Sequence, residues 1–217
     1  DLPPRRDPNQ PLRLVNVGSF QPKKNQQFLL EVACRLRERG LKFQLALLGD
    51  GALRPAVQAA AAALGLEDCV SLPGVVGDVQ SWYWRSDVYV HAATYEPFGL
   101  VFLEAMAAGL PIVTLDGRGN RDIVEDGANG FLLHTTDARS FAGRIEEIAS
   151  NPELAHAMAL AGQRRAAAFD IDVHAETLVA FYRRIRREVP RSWGVPVTRV
   201  PMVSGSQRES RSRANAV

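Results

Sequence analysis

The segment YEPFGLVFLEAMAAGLP combines two carboxylates with the signals of a helix start. Pro97 suits the first position of a helix, because its missing N–H would be unpaired there anyway, and Gly99 leaves the first turn uncovered by a side chain. The sequence therefore predicts a helix over residues 98–108. The amides of Phe98, Gly99 and Leu100 would point at an incoming phosphate, which roughly half a positive charge at the helix N-terminus would favour.

Glu104 is the one charged side chain in this otherwise apolar helix. We expect the helix to lie against a sheet, and a buried carboxylate without partners costs several kcal/mol. The hydroxyl groups of a ligand would supply the hydrogen-bond donors that such a carboxylate needs. A salt bridge to a core arginine would do the same, and the residue types alone leave both interpretations open.

Apolar runs alternate with helical patterns along the chain, and these elements must position the site. Continuous apolar strands alternating with helices are typical of a doubly wound, Rossmann-like α/β fold with a parallel sheet, followed here by C-terminal helices. The strands are predicted at residues 12–17, 43–48, 70–72, 88–91, 112–115 and 130–133. The helices are predicted at residues 26–39, 53–64, 79–85, 98–108, 138–150, 153–168 and 173–188.

Ligands of open doubly wound sheets bind beyond the carboxyl ends of the strands, so the segments that follow each strand are the candidate site. These segments hold glycines, basic side chains and helix starts. They are GSFQPKKN after the first strand, GDG after the second, AATYEPFG after the fourth and DGRGNR after the fifth. Glycines allow close backbone approach, and the whole set is typical of an anion site, most often for phosphate.

The net charge of +2 is unevenly distributed over the 217 residues. Residues 183–217 contain nine arginines and two glutamates, so their net charge is +7. The preceding residues therefore have a net charge of −5. An acidic body argues against nucleic-acid binding. With no apolar run of about 18 residues and no signal peptide visible, we expect a cytoplasmic protein. The arginine-rich end has two interpretations, a solvated tail or a peripheral contact with the inner face of a membrane.

The segment EPFGLVFLEAMAAGLPIV, with Glu96 and Glu104 in an E-x7-E arrangement, resembles the donor-site signature of retaining glycosyltransferases of family 4, which have the two-domain GT-B fold. The family also has a first loop of the form VGRLxxxKG, and VGSFQPKKN is similar to it. GDGALR resembles its glycine-rich second loop, and IVEDGANGFLL resembles a late segment. Four motifs in the right order cover residues 12 to about 188.

The resemblance implies a nucleoside diphosphate sugar as donor and no metal or other cofactor. Glu104 would hold the ribose hydroxyls, and Lys24 would neutralise the departing diphosphate. Glu96 would lie beside the donor sugar, holding its hydroxyls and the positive charge that develops at the anomeric carbon. Lys24 and Glu96 are thus the candidate catalytic residues. The implied donor-binding residues are Gly18, Ser19, Lys24, Glu96, Pro97, Phe98, Gly99, Leu100 and Glu104.

Two departures from the family pattern affect these expectations. Ser19 stands where the family commonly has an arginine that contacts phosphate, so this contact is lost or comes from Lys23 or Arg54. The family also has an N-terminal acceptor-binding domain, which the residues before Leu12 are too few to form. We therefore expect a donor-binding domain over residues 12–189, a polar lead-in or linker over 1–11 and a disordered tail over 190–217, belonging to a longer enzyme and nearly inactive alone.

Other candidate residues have more ordinary interpretations. His91 ends an apolar strand, which favours a core histidine over one that faces the site. Asp170 and Asp172 match a DxD metal motif, but Asp172 fits a helix N-cap better. Cys34 and Cys69 lie outside any CxxC pattern, so we expect buried reduced thiols. Trp82, Tyr83 and Trp84 favour core and rim packing over a stacking platform, and Asn120, Arg121 and Asp122 suit either a donor contact or helix capping.

Three alternative functions remain beside a sugar transferase. A GT-B nucleotide-sugar epimerase shares the fold, although the E-x7-E arrangement and the VGSFxxxK loop argue against it. A receiver-like regulatory domain would need an acidic cluster at the first strand ends, where Gly18 and Ser19 stand. A non-catalytic nucleotide-binding homologue would keep Lys24 and both glutamates for binding alone.

Overall fold

Six parallel strands form one sheet in the computed structural model, which describes residues 10–188. The strands are β1 (Leu12–Val17), β2 (Phe43–Leu48), β3 (Val70–Gly74), β4 (Val88–His91), β5 (Ile112–Leu115) and β6 (Gly130–Leu133). All but one keep their predicted bounds, and β3 extends two residues further than predicted. The strands can be found from sequence because both faces of a parallel sheet are covered, which makes each strand a nearly continuous apolar run.

The order of the strands is β3-β2-β1-β4-β5-β6. β2 and β3 therefore follow one another outward on one side of β1. β4, β5 and β6 follow one another outward on the other side of β1. In register, Leu14 of β1 lies opposite Leu45 of β2 on one side and Val88 of β4 on the other. The strand order reverses between β1 and β4, and doubly wound proteins bind ligands beyond the carboxyl ends of the strands at such a switch point.

The structure has seven α-helices between residues 10 and 188. They are α1 (Gln26–Glu38), α2 (Arg54–Ala63), α3 (Val79–Trp84), α4 (Leu100–Ala107), α5 (Ala138–Ser150), α6 (Pro152–Ala167) and α7 (Ile171–Glu188). Successive residues of a strand point to opposite faces, so the sheet divides two apolar cores. Leu14 joins α1, α2 and α5 in one core, and Val15 joins α3 and α4 in the other. Both cores support the edge that carries the candidate site.

The described residues fall into two compact units, which divide between His174 and Ala175, within α7. In the second unit, Phe181 packs against Tyr182 with ring centroids 6.1 Å apart, and Arg184 lies over the Phe181 ring at 5.5 Å. The predicted lead-in at residues 1–11 is described only from residue 10, and the predicted tail at 190–217 lies outside the described residues. Between residues 10 and 188, no helix is long and apolar enough to span a membrane.

Cys34 and Cys69 are free thiols, as predicted, but both are half-buried rather than buried. Burial raises the pKa of the Cys69 thiol to about 11, so this thiol stays protonated near neutral pH. A protonated thiol is a poor nucleophile and a poor metal ligand. Cys69 is therefore a packing residue.

Candidate functional site

Lys24 and Glu96 form an ion pair between the loops that follow β1 and β4, at the switch point of the sheet. Lys24 Nζ donates to Glu96 Oε2. Lys24 ends a 3₁₀ turn over Pro22–Lys24, and the following Asn25 adopts the left-handed conformation with φ of 52°. The side chains are 16% and 9% exposed, so the pair is largely screened from water. The structure thus brings together the two residues predicted to be catalytic.

The backbone of Glu96 is fixed by the loop that follows β5. The Glu96 amide donates to the Gly117 carbonyl at 2.8 Å, and the Gly119 amide donates to the Glu96 carbonyl at 3.1 Å. Gly119 allows this close approach, because a Cβ atom there would lie 2.0 Å from the Pro97 carbonyl oxygen. The glycines after β5 therefore serve to lock the Glu96 loop, a role that needs no ligand.

The loops after β1 and β4 are also tied to each other. The Thr94 amide donates to the Lys23 carbonyl at 2.9 Å. Gly18 donates from its amide to the Leu48 carbonyl at 3.0 Å, and the Ser19 carbonyl accepts from Gln26 Nε2 at 3.0 Å. Backbone hydrogen bonds thus join the loop after β4 to the loop after β1 and to the loop after β5.

His91 is buried at the end of β4, and its side chain contacts Glu96 in the loop that follows this strand. Its Nε2 lies 3.2 Å from Glu96 Oε2, and its Nδ1 lies 3.0 Å from the Tyr89 hydroxyl. The expectation of a core histidine is confirmed by its 1% exposure. The contact with Glu96 was missed, because no sequence pattern shows that residues 92–95 turn back over the strand end.

The neighbours of Glu96 keep its carboxylate ionised. The hydrogen bond from His91 is the largest effect, and together with Lys24 it lowers the pKa of Glu96 to about 2 against the opposing effect of burial. Burial lowers the pKa of His91, because a charged imidazole would lose its hydration, although the Glu96 hydrogen bond acts in the other direction. Near neutral pH, the site therefore holds a carboxylate, an ammonium group and a neutral imidazole.

The start of α4 differs from the prediction. The helix begins at Leu100, two residues later than predicted, and Gly99 is its N-cap with φ of 90°. Pro97 lies in the bend before the helix and does not occupy its first position. The first amides of the helix are accordingly those of Leu100 and Val101, because the Phe102 amide already donates to the Gly99 carbonyl at 2.9 Å. This helix start adjoins Glu96 through the bend.

Glu104 is exposed, contrary to the prediction of a buried carboxylate. The Tyr83 hydroxyl of α3 donates to Glu104 Oε2 at 3.1 Å, so the partner is a tyrosine where a core arginine was considered. Glu104 also lines an open groove with Leu103, Gln163 and Phe169. The Glu104 carboxylate is oriented by the Tyr83 hydroxyl and is exposed to solvent. It can therefore accept hydrogen bonds from a ligand without a conformational change.

Several other candidates turn out to be structural. Tyr83 is buried and Trp84 is exposed, as core and rim packing predicts. Arg54 donates from Nη2 to the Leu72 carbonyl at 2.8 Å and so braces β3. Asn120 is buried and accepts from the Gly117 amide at 2.9 Å, which stabilises the loop after β5. Neither a donor contact nor a helix cap is needed to explain Asn120.

The DxD pair at the start of α7 has a capping role. Asp170 Oδ1 accepts from the Asp172 amide at 2.9 Å, so Asp170 caps the helix, where Asp172 was predicted to do so. Within residues 10–188, no three His, Cys, Asp or Glu side chains are grouped so that they could hold a metal ion.

The chain matches the family model described as Glycosyl transferases group 1 over residues 3–165. It is 35% identical over 188 residues to the D-inositol 3-phosphate glycosyltransferase of Geodermatophilus obscurus, covering 81% of this chain and 41% of that protein. It is 30% identical over 175 residues to the alpha-D-kanosaminyltransferase of Streptomyces kanamyceticus, covering 79% and 45%. The chain thus spans less than half the length of these curated relatives.

Solved structures share the fold of this chain. Sucrose-phosphate synthase from Thermosynechococcus elongatus superposes with a TM-score of 0.74 at 26% identity, covering 85% of this chain and 47% of that one. Anabaena Alr3699/HepE in complex with UDP superposes with a TM-score of 0.71 at 26% identity, covering 78% and 49%. The neighbours have the GT-B fold, and the predicted α/β class is confirmed. Since the family model covers more than half of the chain, the chain belongs to the Glycosyl transferases group 1 family.

Proposed function

We propose that this chain is the donor-binding domain of a retaining glycosyltransferase of family 4. It would bind a nucleoside diphosphate sugar, and an N-terminal domain outside this chain would hold the acceptor. The observation that carries the proposal is the Lys24–Glu96 ion pair at the switch point, beside the start of α4. A cation, a carboxylate and a helix N-terminus at one strand edge match the charges that sugar transfer has to stabilise.

The diphosphate would lie between Lys24 and the first amides of α4. Negative charge accumulates on the diphosphate as the glycosidic bond breaks, and Lys24 would stabilise it most at that moment. The positive ends of the helix amides add to this effect. The positive charge comes from the chain itself, so we propose that transfer requires no metal.

Glu96 would face the donor sugar. Glycosyl transfer passes through an oxocarbenium-like transition state, with positive charge on the anomeric carbon. The Glu96 carboxylate, held ionised with its pKa lowered to about 2, would accept hydrogen bonds from sugar hydroxyls and stabilise that charge. Retention of configuration is proposed from the resemblance of the E-x7-E segment to the family 4 signature.

Glu104 would bind the ribose of the nucleotide. Its carboxylate is exposed, and the Tyr83 hydroxyl orients it through Oε2. A carboxylate can accept from two vicinal hydroxyls at once, which suits a ribose diol. UDP is the first nucleotide to test, because the similar Anabaena Alr3699/HepE was solved in complex with UDP.

Calorimetry with UDP, GDP and ADP tests the proposal directly. We expect one of the three to bind, and we expect Glu104→Ala to lower its affinity by about a hundredfold, because two charge-assisted hydrogen bonds are lost. Glu67→Ala is the matched control, since Glu67 is an exposed glutamate that precedes β3 at the opposite edge of the sheet. If Glu104→Ala binds the nucleotide as well as wild type does, Glu104 does not hold the ribose.

A further inference from the structure

Three buried polar side chains lie beneath Glu96, on strands β1 and β4. Asn16 is 2% exposed, His91 is 1% exposed and Tyr89 is fully buried. Asn16 Nδ2 donates to the Val90 carbonyl at 2.9 Å and lies 3.4 Å from His91 Nδ1. Buried polar groups in otherwise apolar cores are costly unless they are hydrogen-bonded. Asn16 Nδ2 and the Tyr89 hydroxyl both contact the His91 ring, whereas Asn16 Oδ1 is buried without a hydrogen-bond partner among residues 10–188.

The groups around the His91 ring admit one tautomer. Glu96 is ionised near neutral pH and can only accept, so His91 Nε2, 3.2 Å from Oε2, carries the ring proton. His91 Nδ1 then presents a lone pair to the Tyr89 hydroxyl, 3.0 Å away. The one proton of this hydroxyl is shared between His91 Nδ1 and the Val17 carbonyl, which lies 3.3 Å away. Asn16 agrees with this assignment, because its Nδ2 faces the Val90 carbonyl and can only donate.

We propose that His91 is the positioning residue of the site: its Nε2–H holds the Glu96 carboxylate in place, and Tyr89 and Asn16 hold the ring in the tautomer that donates. The ring is further fixed by packing, with Tyr89 stacked at 5.9 Å and Phe102 edge-on at 4.9 Å between ring centroids. This role rests on the proposed function only in that Glu96 is taken to face the donor sugar.

Lys24 and His91 both donate to Glu96 Oε2. When the donor binds, its diphosphate becomes a second partner of Lys24, so Glu96 then depends more on His91. A bound diphosphate attracts the Lys24 ammonium, whereas the buried ring of His91 cannot leave. His91 is also neutral, so it orients Glu96 without cancelling the negative charge that a developing oxocarbenium ion requires. A cation in its place would cancel that charge.

The ionisable groups around this chain of contacts come from four elements. Lys24 acts from the turn after β1, and Tyr89 and His91 lie on β4. Tyr83 of α3 and Glu104 of α4 act through Tyr89. The side-chain partners of the Glu96 carboxylate are Lys24 and His91.

NMR of the full chain labelled with ¹⁵N-histidine tests the tautomer without any nucleotide. We expect neutral His91 to show the Nε2–H tautomer near pH 7, and its signals are assigned by their loss in His91→Gln. Tyr89→Phe removes one donor to Nδ1 and is expected to populate the Nδ1–H tautomer in part. A wild-type ring with its proton on Nδ1, or a doubly protonated ring near pH 7, overturns the proposal.

Acid titration of the Glu96 carboxyl, followed by its ¹³C shift, tests the positioning role. His91→Leu is expected to raise the pKa of Glu96 by about one unit, because a hydrogen bond to the charged form is lost. His91→Gln places an amide N–H near the position of Nε2 and is expected to restore the wild-type value. His156→Gln, a change on α6, is the matched control for loss of a histidine.

The outcomes separate the two proposals. If Glu96 titrates in His91→Leu as it does in wild type, His91 does not position it, whatever the chain binds. If nucleotides fail to bind while both NMR results hold, the proposed function is wrong and the contact between His91 and Glu96 stands. Where a variant does not fold, the tautomer of the wild-type ring still decides.

Discussion

Glu96 accepts from two donors that differ in charge and in freedom to move. Lys24 is a flexible ammonium group at the rim, and His91 is a neutral ring fixed in the core. The resemblance to family 4 predicted the roles of Lys24 and Glu96. The sequence could not predict the contact with His91, because it depends on how tightly four loop residues turn between positions 91 and 96.

The stability of the fold should fall as the solution becomes acidic. The pKa of Glu96 is lowered from 4.5 to about 2, so its contribution is full above 4.5 and is lost as pH falls towards 2. The pKa of His91 is lowered from 6.5, so the unfolded chain takes up this proton first and stability also declines below 6.5. We expect urea midpoints to decrease from pH 7 to pH 4.

Glu96→Gln isolates the carboxylate in that experiment. We expect the variant to lose less stability than wild type between pH 5 and pH 3, since glutamine does not titrate. Glu67→Gln, at an exposed position, is the control and should follow the wild-type curve. An identical pH dependence in Glu96→Gln and wild type would show that the ion pair does not stabilise the fold.

At the scale of elements, α4 explains both errors of prediction at the site. The helix start was predicted from Pro97, whereas the left-handed φ of Gly99 sets it at Leu100. Glu104 was expected to be buried because the helix is apolar all round. Leu100, Glu104 and Ala107 form an outward face, while Phe102 and Met106 are buried. Because apolar residues lie on both faces of α4, the sequence lacks the helical alternation of apolar and polar residues that would have predicted an exposed Glu104.

Gly99, the N-cap of α4, has no room for a side chain. A Cβ there would lie 2.4 Å from the Phe102 ring, and φ of 90° is strained for any other residue. We expect Gly99→Ala to lower the free energy of unfolding by about 2 kcal/mol or more in urea denaturation. Gly127→Ala is matched to it, with φ of 77° and no atom within 4 Å of the added Cβ, and should cost about 1 kcal/mol. Equal losses in the two variants would contradict the clash with Phe102.

At the scale of the whole molecule, the fold class and nearly all strand bounds were predictable, and the order of the strands was not. Continuous apolar runs show that strands are buried on both faces, but every order of parallel strands produces the same runs. The switch point between β1 and β4, which brings Lys24 to Glu96, therefore appears only in the structure.

The isolated chain should bind a nucleoside diphosphate and transfer almost no sugar. It spans less than half the length of its curated relatives, and the proposed acceptor site belongs to the remainder. We expect calorimetry to detect UDP, GDP or ADP with EDTA present, while assays with the corresponding nucleotide sugars detect almost no turnover. Robust sugar transfer by these 217 residues would contradict the proposal that the acceptor is bound by a separate domain.

Under the proposed function, the ion pair between Lys24 and Glu96 favours a ligand that suits both groups. Lys24 and Glu96 are each other's partners in this contact. A simple anion that attracts Lys24 therefore takes one hydrogen-bond donor away from Glu96. Inorganic phosphate carries few hydroxyl donors near neutral pH, so it replaces Lys24 at Glu96 poorly. A nucleotide sugar would bring an anion for Lys24 and several hydroxyls for Glu96, and so would replace both halves of the contact that it breaks.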